Sequence, residues 1–75
     1  MNPNTPDRFL RLPEILSITG LKRVSLYNRM NPSSKYYDPS FPKSVSLSAT
    51  GKGSVAWLQS EVVAWMESRV GARNE

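Results

Sequence analysis

Residues 17–30 read SITGLKRVSLYNRM, and the fold turns on this stretch. A lone Gly20 separates two short runs with apolar residues at helical spacing, and the second run carries Lys22, Arg23, Asn28 and Arg29. Glycine takes positive φ at little cost, so Gly20 can turn the chain sharply between two helices. Upstream, Ile15, Leu16 and Ile18 form the apolar face of a first helix. Pro13 suits its first position, where a missing N–H costs nothing, and Glu14 suits the positive end of the helix dipole. Leu21 is the expected buried residue of the turn, and a second helix is expected over 22–30. With Leu26 set inward at about 100° per residue, Met30 and the stem of Lys22 lie about 40° from the core direction. Val24 and Asn28 then point nearly the opposite way, with Ser25 and Tyr27 on the flanks.

Asn31-Pro32 stops that helix. Residues 31–43, NPSSKYYDPSFPK, contain three prolines and read as an irregular loop pinned to the body by Tyr36, Tyr37 and Phe41. Residues 44–48 alternate, with Val45 and Leu47 on one face, and read as a strand. ATGKG, residues 49–53, is a turn, and 54–58 is a second strand with Val55 and Trp57 on one face. Leu58, Val62, Trp65, Met66 and Arg69 then recur at helical spacing over 59–70, and Gly71 ends that helix. Ahead of all this, 8–12 is a short extended lead-in. Trp57 and Trp65 sit at core spacing rather than as stacking platforms. The order is helix, turn, helix, loop, hairpin, helix: an α+β, mostly α, winged helix-turn-helix over 8–70, between tails at 1–7 and 71–75. A two-stranded hairpin alone is marginal in water, so the wing must pack on the helices.

Composition narrows the function. Seventy-five residues make one small domain. With no His and no Cys, the usual imidazole base, thiolate nucleophile and soft metal ligands are missing. The carboxylates form no paired motif. Gly51-Lys52-Gly53-Ser54 is not a phosphate-binding loop, because position 46 is Ser and Gly53 separates the Lys from the Ser. The chain is therefore expected not to be an enzyme and to need no cofactor, metal or small-molecule substrate. No apolar run approaches the ~20 residues of a membrane span, and MNPNTPDR lacks the charged and apolar regions of a secretory signal, so a cytoplasmic location is expected. The net charge is +4. Between Leu21 and Gly53, Lys22, Arg23, Arg29, Lys35, Lys43 and Lys52 face a single acid, Asp38, whereas the two ends are neutral or weakly acidic. A basic middle suits a polyanion-facing surface, and on charge alone it suits equally a solvated surface that happens to be basic.

The major groove admits one α-helix, whose polar and apolar side chains read base edges. The outer side of the second helix offers Val24 for a thymine methyl, Asn28 for a bidentate pair with adenine, and Ser25 and Tyr27 beside them. Lys22, Arg23 and Arg29 sit at the helix borders, where phosphate contact is natural, and Lys43 is a further phosphate candidate. Lys52 at the hairpin tip suits the minor groove or adjacent backbone. Each has a plainer alternative: Tyr27 as a core ring with its hydroxyl wet, Ser25 and Asn28 as solvated polar groups, Lys52 as a solubilising turn tip.

RFLRLPEILSITGLKRVSLYNRM, then FPKSVSL, then VAWLQSEVVAWMESR, taken in that order, resembles the AlpA family of prophage transcriptional regulators, relatives of MerR-type winged helices and phage excisionases. The resemblance covers about Arg8 to Val70. It implies a DNA-binding regulator of prophage or mobile-element genes whose second helix and hairpin carry the contacts. Lys22 stands where the family usually has Ser at an N-cap, and Asn28 where it often has Arg; the loop at 31–40 is longer than the shortest family versions. Two other readings stay open: an excisionase-like protein that bends DNA through several copies, and a protein-interaction module docking on another regulator. Self-association on adjacent DNA sites is expected under the DNA readings, because one such domain covers only a few base pairs.

Overall fold

A computed structural model of the chain describes residues 7–51 and 53–73. In chain order the elements are β1 (Phe9–Leu10), α1 (Leu12–Thr19), α2 (Arg23–Met30), β2 (Val45–Ser46), β3 (Val55–Leu58) and α3 (Gln59–Ala72). This is the α+β helix-turn-helix with a hairpin that the sequence predicts, with β2 only two residues long where a strand over 44–48 is expected, and with one addition. The lead-in is itself a strand, and the sheet is three-stranded and antiparallel in the order β1-β3-β2. Phe9 pairs with Leu58 and Leu10 with Trp57, so the hairpin is stitched to the start of the chain.

α1 begins one residue before Pro13, which takes the second position. Arg11 at the N-cap has no acceptor to offer, and Glu14 reaches back instead to accept the Arg11 N–H at 3.0 Å. Gly20 closes the helix at φ 75, its N–H donating to Leu16 O at 2.9 Å. Thr19 Oγ1 donates to Ile15 O at 2.7 Å and accepts the Leu21 N–H at 3.3 Å, which sets the turn into α2.

Leu10, Ile15, Leu26, Phe41, Trp57, Val62 and Trp65 form the core, with Leu12, Leu16, Leu21, Met30 and Met66 packed around it. Of the apolar positions expected on core faces, Ile18, Leu47 and Val55 are each more than a third exposed. Ile18 is on the solvent edge of α1. Leu47 and Val55 lie toward the hairpin turn: Val55 is in the last β2–β3 pair, with Ser46, and Leu47 follows it, its N–H donating to Ser54 O at 2.9 Å. α3 runs past its expected end because Gly71 is helical; the positive-φ glycines are Gly20, Gly51 and Gly53. At its other end α3 has Leu58 as N-cap, which carries no polar side chain. Asp7 supplies the missing acceptor from 53 residues away, taking the Ser60 N–H at 3.1 Å and the Ser60 hydroxyl. The hydroxyl bond holds the Asp7 carboxyl below its ordinary range. No helix among the described residues is long and apolar enough to cross a membrane.

The loop between α2 and β2 is anchored differently from expectation. Phe41 and Pro42 are buried, but Tyr36 is 60 % and Tyr37 38 % exposed. The anchor is Asp38. Its N–H donates to Arg29 O at 3.0 Å, and its carboxylate accepts the Trp65 Nε1–H at 3.0 Å. Phe41 meets Trp65 edge to face, centroids 4.9 Å apart. An aromatic pair plus a charge-assisted hydrogen bond is a stronger tether than an exposed tyrosine ring can provide.

Candidate nucleic-acid interface

α2 is two turns long and buries only Leu26. Its first turn stands clear of the body. Lys22 holds the N-cap position in extended conformation (φ −84, ψ 159), and its ammonium makes no cap hydrogen bond. Lys22, Arg23 and Val24 are exposed, Val24 at 71 %. Tyr27 is 45 % exposed, so it is not a core ring. The outward face predicted from helical geometry is therefore present at the N-terminal end of α2.

The C-terminal half differs. Ser25, Asn28 and Arg29 are only half-exposed, although Asn28 lies nearly opposite Leu26 on the helix. The loop causes this: the Asp38–Arg29 backbone bond folds it back along α2, and Tyr36 joins Ser25, Asn28 and Arg29 as walls of one cleft. Arg29 is not a free border cation either. Its guanidinium donates to Ser25 O at 3.2 Å, one turn back on its own helix. It also borders a second cleft with Tyr36, Tyr37 and Arg69, and a third with Lys43. Lys43 is exposed. Lys52 lies outside the described residues. On either side of it the hairpin tip turns through Gly51 (φ 77) and Gly53 (φ 90).

The distribution of charge follows position. Near the N-terminus the basic side chains are engaged: Arg8 pairs with Glu14, and Arg11 Nε donates to Val55 O at 3.1 Å. Among the described residues the Arg8–Glu14 contact is the one ion pair, so the cations of α2 and the following loop face no carboxylate at contact distance. The acid of this region, Asp38, is held below the ordinary carboxylate range chiefly by the Ser40 hydroxyl, with Trp65 and the charge of Arg69 acting the same way against desolvation. Lys35, Tyr36 and Arg69 were outside the predicted set, and the fold brings Tyr36 and Arg69 to the edge of α2. The basic-aromatic run KYY was the local signal for the first two; for Arg69, 40 residues after Arg29, there was none.

Among the described residues no three acidic side chains gather as a metal site. An exposed apolar side chain flanked by free cations on a short helix end can meet the edge of a base pair while the cations meet phosphates.

Residues 8–70 match the family model described as prophage CP4-57 regulatory protein (AlpA). The chain is 39 % identical over 69 residues to the DNA-binding transcriptional activator AlpA of Escherichia coli (strain K12), covering 92 % of this chain and 94 % of that one. It is 42 % identical over 69 residues to the uncharacterized protein ORF88 of Enterobacteria phage P4, covering 92 % of this chain and 68 % of that one. No solved structure matches it. With five-sixths of its length under the family model and a bacterial relative aligned nearly end to end, the chain belongs to the AlpA family of prophage regulatory proteins.

Proposed function

We propose that this protein is a sequence-specific DNA-binding transcriptional regulator of prophage or mobile-element genes, acting in the bacterial cytoplasm. In this reading α2 enters the major groove, and the hairpin, with Lys52 at its tip, lies on the adjacent backbone or minor groove. The observation that carries it is the exposed first turn of α2, where Val24 stands 71 % exposed beside the cations Lys22 and Arg23. An apolar side chain that open to water gains free energy only when a partner covers it. Val24 and Tyr27 read base edges. Ser25 and Asn28 do so from the mouth of the cleft. Lys22, Arg23, Arg29 and Lys43 contact phosphates. Two or more copies occupy adjacent sites, since a single module of this size specifies few base pairs. The name of the Escherichia coli relative, a DNA-binding transcriptional activator, supports the same reading.

The test is fluorescence anisotropy with two labelled duplexes, one from upstream of the protein's own gene and one scrambled, at low and near-physiological salt. A preference for the native duplex that survives added salt is expected, with a log–log slope of about −0.9 per phosphate contact. Weak, equal binding erased by salt would refute specific recognition and point to a protein partner instead. A strong induced bend with several bound copies would reassign the protein to the architectural class.

A further inference from the structure

We propose that the loop over 31–43 is a second arm of the DNA interface, with Lys35 and Tyr36 contacting the sugar–phosphate backbone beside the α2 site; this rests on the DNA-binding reading above. Tyr36 does not anchor the loop. It is 60 % exposed and stands across a cleft from Ser25, Asn28 and Arg29, so a duplex seated on the outer side of α2 meets this ring as well. Lys35 Nζ lies 5.2 Å from the centre of the Tyr36 ring. That attraction is weak at an exposed site, but it biases the ammonium toward the same point on the surface.

The surrounding charge is complementary to a polyanion. Arg29 and Arg69 share the next cleft with Tyr36, and Lys43 shares another with Arg29. Two acids lie near them: Asp38, whose carboxylate is already engaged by Trp65 and Ser40, and Glu61, which borders with Lys43 a cleft that Tyr36 does not line. The arm is also held in shape before any partner arrives. Ser34 N–H donates to Asn31 O at 2.9 Å, Tyr36 N–H to the Ser34 hydroxyl at 3.1 Å, and Tyr37 N–H to Ser34 O at 3.1 Å. A loop with its own hydrogen bonds loses less conformational freedom on binding than an open one.

The experiment measures both duplexes over a salt series with Lys35→Ala, Tyr36→Ala and, as a reporter of the α2 site, Arg23→Ala. Lys35→Ala is expected to weaken both duplexes alike, about five- to tenfold at 0.1 M salt, and to make the salt slope shallower by about 0.9. Tyr36→Ala is expected to weaken binding about three- to tenfold with the slope unchanged, as loss of a neutral contact does. Wild-type affinity and slope in both loop variants, with Arg23→Ala impaired, would overturn the loop arm and leave the α2 site standing. No binding of either duplex by the wild-type chain would overturn both. Thermal melts of the variants, expected to match wild type because both side chains are exposed, separate contact from fold.

Discussion

The helix-turn-helix over 12–30 and the loop over 31–43 are neighbours in space held by opposite kinds of contact. In the first, every bond that sets the turn is local: Gly20 to Leu16, Thr19 to Ile15, Leu26 to Lys22. In the second, the decisive partner is distant. Asp38 is tied to Trp65, 27 residues on, and Phe41 meets the same indole edge to face. Local bonds leave a periodic trace in the sequence; a single distant tether does not. The two tryptophans repeat the contrast. Trp57 is fully buried and its indole N–H has no acceptor among the described residues, so it holds by shape alone, whereas Trp65 both packs and donates.

Four substitutions separate the local contacts from the distant ones. Trp65→Ala removes the edge-to-face ring and the loop tether together and should cost about 3–5 kcal/mol, enough to unfold much of so small a domain in a urea titration. A folded variant with lost DNA binding would instead mean that the ring serves the interface. Asp38→Ala leaves Trp65 packed but its N–H unpaired, and should cost about 1–3 kcal/mol. It should also change the acid response. Asp38 is held below its ordinary 3.8, so its stabilisation is complete above that pH and is lost as pH falls below it through the lowered folded-state value. Thermal melts from pH 5 to about 2 should therefore fall less steeply in the variant; an unchanged slope would show that the Asp38 carboxylate is not what holds the loop.

Gly20→Ala tests the local side. At φ 75 an added Cβ meets no atom within 4 Å, so the cost is conformational alone, about 1–2 kcal/mol. A larger loss would indicate that the turn also carries packing that the structure does not show. The smallest effect has the opposite sign. Lys22 already has N-cap geometry without a cap bond, so Lys22→Ser should stabilise the fold by about 1 kcal/mol. If Lys22 contacts phosphate, the same variant should bind DNA with a salt slope shallower by about 0.9. Gained stability with unaltered salt dependence would remove Lys22 from the interface.

The candidate site divides along the same line. Lys22, Arg23, Val24 and Tyr27 were legible because a helix of known period with one buried residue leaves few places for them to point. Asn28 obeyed that period too, yet it is half-covered, since what stands opposite a helix face depends on a loop whose path no period encodes. Tyr36 and Tyr37 stay exposed, although a large ring in a proline-rich loop reads as something to bury, because Phe41, Pro42 and Asp38 already fill that role.

The order of elements, the turn at Gly20, the hairpin, the tryptophan core and the basic character of residues 21–53 are written in local pattern. These follow from side-chain period, glycine stereochemistry and charge, all of which act over a few residues. Long-range packing settles that β1 joins the sheet through Leu10 and Trp57, that Asp7 caps α3 across 53 residues, and that the loop lies along α2 with Tyr36 outward. Each of these depends on one strand pair or one carboxylate finding a donor far along the chain. Such a meeting is settled by the whole packed arrangement rather than by any local pattern.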